Sequence, residues 1–460
     1  MAENAALRAE VEELRGRIAD LEARLGRNPR NSSMPPSAEG LSKPNRLPRS
    51  LRKATGRNPG KQPGTDGHHL ARVEDPDEVQ THSPSVCSAC GGDLAAAPVT
   101  GVETRQVHDL PDLRAHVTEH RIERRRCSCG CETKAPVPEV ATAPACYGPG
   151  VRALAVYLAV YQHLPYERMA ELFSDVLGIE ISVGALACFV AEAGGSLGLF
   201  VSVVTDLLKD APAVHFDETG ARVAGRLHWV HVACNALVTL LLCHERRGTV
   251  AMDEMGVIAK MAGIAHHDGW KPYKSYDVTH ALCNAHHLRE LEAIGVVFDQ
   301  NWATEMIGLL IEAKAAVTAA TEAGADHLDA ASLHSIRVRY GLLVKKGQEA
   351  NPAPVIGKRH GVRKSAANLL RRLDAERADV LRFVSDFSAS FDNNQAERDV
   401  RMVKLQQKIS GTWRTSTGAA NYCSSYSYVS TMRKQGQSVL PGLRLLFEGG
   451  VWLPSGLARK

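Results

Sequence analysis

Three acids have the surroundings of a working site. Asp217 in HFDET and Asp268 in IAHHDGW each close a short apolar run that reads as a β-strand, and Glu397 stands in FDNNQAERDVRMVK at the start of a helix. Acids at strand ends point into the mouth of a sheet, where two of them can converge. Two carboxylates at close range repel unless a cation lies between them, and Mg²⁺ takes one or two carboxylates plus water and phosphate oxygens. A third acid from another element completes a nuclease-like pair of metal sites, and Glu397 is the candidate. Plainer readings exist for each. Either aspartate alone is a loop residue or a cap. With Asn394 as N-cap, Glu397 is the third helical residue and can cap the backbone, or it can pair with Arg401 four residues on. Only the metal reading accounts for all three acids together.

The cysteines make a second constellation. Of eleven, five lie between Cys87 and Cys131, as CSAC (Cys87, Cys90) and CSCGC (Cys127, Cys129, Cys131). Two pairs of thiolates on separate turns are what tetrahedral zinc needs, and a small module with little apolar core needs such a staple. The second pair is irregular, CxC or CxxxC; Cys127 with Cys129 is preferred, Cys131 is held in reserve, and one zinc per chain is expected. In CNAHHLRE, Cys283 and His286 lie three apart on a helix, a ligand pair or an ordinary buried face. His215, His228 and His231 alternate with apolar residues and read as strand residues rather than ligands.

The elements that must position these residues differ along the chain. At 460 residues with 44% apolar content, two to four units are expected, and the net charge of +4 says little about partners. No apolar run reaches the length of a membrane span and the N-terminus lacks the pattern of a secretory signal, so an intracellular protein with no membrane partner is expected. Residues 1–27 carry Leu7, Val11, Leu14, Ile18, Leu21 and Leu25 at spacings of four and three, the seam of a dimerising coiled coil or of one packed amphipathic helix. Residues 28–70 form a Pro/Gly/Ser/Asn-rich linker. From Arg27 to Lys61 there are nine Lys/Arg (27, 30, 43, 46, 49, 52, 53, 57, 61) against one acid, Glu39. Within it, Arg57 and Lys61 of GRNPGKQPG suit a DNA minor groove, or the segment is a soluble tether.

Residues 71–140 hold the cysteine module. Over 148–200 the period turns helical, with YERMAELFSDVLG and SVGALACFVAEAGG joined by GIEI and Ser182 as N-cap, a spacing compatible with a helix-turn-helix. Residues 210–282 read as a three-stranded meander, a helix over 249–261 and the Asp268 strand; 283–388 is mostly helical; 389–436 bears Glu397; 437–460 is a tail. In 389–436, Trp413 with Arg414 and Arg433 with Lys434 fit contacts to DNA, or a solvated basic face.

These motifs, in this order, resemble the insertion-sequence-66 family of DDE-class transposases. The resemblance runs from the N-terminal periodic segment and NSSMPPS through RRCSCG, YGPGV, DETG, DGWKPY, CNAHHLRE and DNNQAERDVR to ISGTWRTSTGAANYCSSYSYVSTMRKQG. Trp270 and Asn284 stand where the family often has Tyr and Trp. What it implies is a multidomain α+β chain: an N-terminal coiled coil, a zinc-binding module, a helical DNA-binding region, and a ribonuclease H-like α/β core with a mostly helical insertion. It further implies that Asp217, Asp268 and Glu397 hold two Mg²⁺, with Mn²⁺ as substitute, for cleavage and strand transfer on double-stranded DNA at the element's inverted repeats. Arg398, Arg401 and Lys404 would lie beside the phosphates being cut. The implied partners are element ends, target DNA, a second or further copy of the chain and accessory proteins of the element, in a nucleoid-associated cytoplasmic setting. Two rivals are a ribonuclease H-like nuclease without strand transfer and a DNA-binding regulator derived from a transposase.

Overall fold

The computed structural model describes residues 70–141, 143–352 and 361–455. The proposed coiled coil and the linker with Arg57 and Lys61 lie outside them. The described residues divide into two units, one ending at Ala115 and the other beginning at His116.

In the first unit, the described residues form no helix or strand beyond an isolated bridge between Val86 and Asp93. Cys87 to Gly92 forms a tight turn: the Cys87 N–H donates to Gly92 O and the Gly91 N–H to Cys87 O, both at 2.8 Å. Gly91 has φ +73°, a left-handed backbone that favours glycine directly after Cys90.

The second unit opens with a hairpin, β1 (Arg124–Arg126) and β2 (Glu132–Lys134), whose connection is the second cysteine turn. Four helices follow: α1 (Pro149–Val156), α2 (Tyr166–Leu177), α3 (Val183–Gly195) and α4 (Gly198–Lys209). Proline at the first position starts α1, and Gly178 at φ +64° stops α2. Ser182 caps α3 as the sequence predicts, its Oγ accepting the Ala185 N–H at 3.1 Å.

The sheet comes next: β3 (Ala213–Val223), β4 (Arg226–Cys234), β5 (Thr239–His244), then α5 (Thr249–Met255), β6 (Ile264–His267) and β7 (Thr279–Leu282). Its order is β5-β4-β3-β6-β7, with β3, β4 and β5 antiparallel and β6 and β7 parallel to β3. Ala224 and Gly225, both at positive φ, make the tight β3–β4 turn. The helix expected over 249–261 stops at Met255, because Gly256 turns left-handed and the chain continues as a 3₁₀ turn at Ile258–Lys260.

Beyond β7 the chain is helical: α6 (Asn284–Phe298), α7 (Asn301–Glu322), α8 (Ala330–Ala350), α9 (Gly361–Ala375), α10 (Arg377–Val380) and α11 (Arg382–Ser385). They build a core of their own around Trp302, Leu310, Tyr340 and Leu370. The chain then returns to the sheet as α12 (Asn394–Ser410), α13 (Ser416–Lys434) and α14 (Val439–Phe447). The α13 helix is polar in sequence yet buried, because it covers edge strand β5. Ser427 Oγ accepts the Leu241 N–H at 2.8 Å and Thr431 Oγ1 the Thr239 N–H at 3.1 Å, so side chains satisfy donors that an open edge would leave to another chain. Against its other side, Gly194 of α3 lies so close that a Cβ there would stand 2.6 Å from Asn421 Cα.

Candidate active site

Sheet register sets the geometry. In the parallel pair β3–β6, His215 stands opposite His266. Two residues further along come Asp217, within β3, and Asp268, one residue past the end of β6, which the register carries to one level. The sequence places Asp217 at a strand end; β3 in fact continues six residues to Val223, so Asp217 sits at the point where its parallel neighbour β6 stops and leaves a notch. The Asp217 carboxylate accepts the Glu218 N–H and that of Asp268 the Trp270 N–H, both at 2.8 Å.

The start of α12, the helix that carries Glu397, is tied to β3. Asn393 Nδ2 donates to Phe216 O at 2.7 Å, its Oδ1 lies 2.8 Å from His215 Nδ1, and its backbone N–H donates to Cys283 Sγ at 3.2 Å. Asn393, not Asn394, is therefore the residue before the helix; its side chain holds the sheet instead of capping, and Glu397 is the fourth helical residue. The capping and Arg401-pairing readings of Glu397 both give way. Its carboxylate accepts from Arg289 Nη2 at 3.2 Å, and His286 Nε2 stands 4.0 Å away. The positive end of α12 also favours an acid in its first turn.

The acids feel one another. Burial pushes the Asp217 carboxyl well above the usual range, and the charges of Glu218, Asp268 and Glu397 push in the same direction. A divalent cation between them would relieve this repulsion, but among the described residues the ligand atoms of the three acids do not all lie within 4.8 Å of one another. A softer set overlaps it: ligand atoms of Cys283, His286 and Glu397 lie within 4.8 Å of one another. Burial pushes the Cys283 thiol up to about 12 and the His286 imidazole down, which holds both in their neutral forms, while the Glu397 carboxylate is paired with Arg289.

Glu218, the neighbour of Asp217, was not singled out by sequence. Its side chain is 2% exposed, with Arg247 Nε and Nη2 on Oε1 at 2.8 and 2.6 Å and the Tyr273 hydroxyl on Oε2 at 2.6 Å. Burial and the Asp268 charge raise it to about 7, and Arg247 and Tyr273 oppose the rise. The one sequence signal was the second acid of DETG next to a candidate ligand; neither partner is marked by spacing.

The proposed DNA-contacting residues divide. Arg398, Arg401, Arg414 and Arg433 are exposed, and Arg398, Arg401 and Lys408 share the outer face of α12. Three assignments change. Trp413 is 8% exposed, packed on Tyr422 with ring centroids 5.1 Å apart and hydrogen-bonded through its backbone to Arg222 and Ala224, so it is a core residue. Lys434 is spent on Asp399 Oδ2 and Asn235 O, both at 2.9 Å, and on Val238 O at 3.2 Å. The Lys404 ammonium donates to Gly220 O and is half-buried. The helix-turn-helix reading also loses support: the one charged residue of α3 is Glu192, and its apolar face is buried on Leu186, Phe189 and Val190, so it offers phosphates no cation.

The two cysteine turns are built alike, each within its own unit. In the second, the Cys127 N–H donates to Cys131 O at 2.8 Å, the Gly130 N–H to Cys127 O at 2.9 Å, and Gly130 has φ +87°. Cys129 thus precedes the left-handed glycine as Cys90 does, while Cys131 takes the place of Gly92. Backbone N–H groups lower the first thiol of each turn, that of Cys90 for Cys87 and that of Cys129 for Cys127. Both turns fit a thiolate-binding metal.

Comparison with known families gives three matches along the chain. Residues 144–421 match the model described as Transposase IS66 family, which spans all three acids and defines the class as a transposase. The chain belongs to the IS66 family. Residues 84–132 match the zinc-finger binding domain of transposase IS66, and residues 1–71 a family of unknown function. No curated protein matches the chain. Among the described residues, no single helix is long and apolar enough to cross a membrane.

Proposed function

We propose that this transposase binds the terminal inverted repeats of its own insertion sequence, cuts there and joins the freed 3′-hydroxyls to target DNA, using Asp217, Asp268 and Glu397. The observation that carries the reading is the register of parallel strands β3 and β6, which brings Asp217 of β3 level with Asp268 just past the end of β6, with the charge of Glu397 felt at Asp217. The order β5-β4-β3-β6-β7, three antiparallel strands and two parallel ones, supports a ribonuclease H-like core, interrupted by the helices between β7 and α12.

The three acids would hold two Mg²⁺ or Mn²⁺ ions, which supply an activated water or hydroxyl and charge stabilisation at the leaving oxygen. The chain's own residues do the rest. Asn393 keeps α12 on β3, which would hold Glu397 near the aspartates. Arg289 balances the charge of the Glu397 carboxylate. Exposed Arg398 and Arg401 draw the phosphate backbone toward the acids, which would otherwise repel it. Arg414 and Arg433 extend the cationic surface, and the 28–70 linker adds its own. Cys87, Cys90, Cys127 and Cys129 are assigned as ligands of one structural zinc, a choice supported by the matched turns and their left-handed glycines. Pairing of two element ends calls for two copies or more, in a nucleoid-associated cytoplasmic setting.

The test is to incubate the full chain with labelled duplexes copied from the DNA flanking its gene. Cut and joined products in Mg²⁺, and neither in EDTA, are expected. Cutting without joining would leave a nuclease, and binding without cutting a regulator.

A further inference from the structure

Beside the acids stands a cation that the assignment above does not use. Arg247 follows β5 and is fixed in two directions. Edge-on, its Nε and Nη2 both donate to Glu218 Oε1. Face-on, its guanidinium lies 4.0 Å from the centroid of the Trp270 ring and 4.8 Å from that of Trp229. Each support is itself held. The Tyr273 hydroxyl fixes the far oxygen of Glu218 at 2.6 Å, and the Trp270 backbone N–H donates to Asp268 at 2.8 Å. The guanidinium is therefore one stacking contact from a residue bound to one acid and one ion pair from the sequence neighbour of another.

Arginine has five N–H groups. Two go to Glu218, leaving three with no protein acceptor among the described residues, and the side chain is 31% exposed. If neutralising Glu218 were its sole role, one buried pair would suffice, and neither the two indoles nor an open edge would be needed. A planar cation stacked on aromatic faces with a free edge is a pre-organised phosphate fork. The geometry points to Arg247 as a DNA-contacting residue that grips a phosphate of the strand being cut, with Glu218 and Trp270 as its positioning residues. This rests on the transposase reading above.

The experiment uses the full chain and the flanking-DNA duplex, and reads both cutting in Mg²⁺ and the salt dependence of binding in Ca²⁺. Arg247→Gln should cut about 10²-fold more slowly and lower the log–log salt slope by about 1. Arg247→Lys, which keeps the charge but not the fork, should recover about tenfold of the rate. The deciding variant is Arg247→Gln with Glu218→Gln, a neutral pair of similar shape. It should remain as slow as Arg247→Gln and keep the lowered slope, with thermal melting confirming a folded chain. Restoration of wild-type cutting and slope in that double variant would overturn the proposal, since Arg247 would then serve Glu218 alone. A wild-type chain that binds without cutting would sink the transposase reading, and the slope would still decide for or against Arg247.

Discussion

The acidic notch and the cysteine turns both gather side chains that ionise to anions, and they treat those side chains in opposite ways. In the notch, burial and mutual repulsion push Asp217 toward its protonated form. In the turns, thiols near the surface meet backbone N–H groups that pull Cys87 and Cys127 toward thiolate. Ligands that resist their charge hold a cation on condition, depending on pH and on what else enters; ligands already eased into charge hold it continuously. The first suits the proposed working centre, the second the proposed staple. Within the notch the same contrast recurs between neighbours: Glu218 has Arg247 and Tyr273, whereas Asp217 is given a backbone N–H and three nearby acids.

The largest effect should come from Asp217→Asn. Cutting of the labelled duplex should fall by about 10³-fold or more while end-binding persists. Because the substitution removes repulsion, its melting temperature in EDTA should rise above wild type; a fall would break the contrast with the turns. Cys129→Ser should then release zinc to a mild chelator far faster than wild type, whereas Cys131→Ser should retain about one zinc per chain. The reverse order by metal analysis would exchange the two assignments.

A smaller change is expected from Glu218→Ala, which strands Arg247. Urea unfolding should show a loss of about 1–3 kcal/mol, below the full penalty for a buried pair because Arg247 keeps some water. The smallest is a pH slope. Glu218 is raised from 4.5 to about 7, so between those values the folded chain binds a proton that the unfolded chain has released. Its contribution therefore falls as pH rises through that window, and Asp217 acts in the same sense. Melting temperature in EDTA should decline from pH 4.5 to 7, and Mg²⁺ should flatten the decline.

What could be read from sequence was what is local. The cysteine turns are complete within six residues, and both aspartates are marked by the apolar runs before them. What escaped was partnership at long range. Arg247 and Tyr273 reach Glu218 from 29 and 55 residues away, and Asn393 reaches His215 across 178. The tail misled for the same reason. Ser427, Thr431 and Lys434 look solvated until β5 and Asp399 are brought beside them, and Trp413 looks free until the β3–β4 hairpin takes its backbone. A polar helix becomes a core helix when the donors it satisfies belong to an edge strand, and no period in its own sequence announces that.

The central claim is that Asp217, Asp268 and Glu397 share a divalent cation while Glu218 does not. Manganese titration of the zinc-loaded full chain with duplex DNA, followed by electron paramagnetic resonance, counts those ions directly. Asp217→Asn, Asp268→Asn and Glu397→Gln should each lose at least one tightly held ion relative to wild type, and Glu218→Gln should lose none. Full manganese uptake by Asp217→Asn, or its loss in Glu218→Gln, would contradict the account.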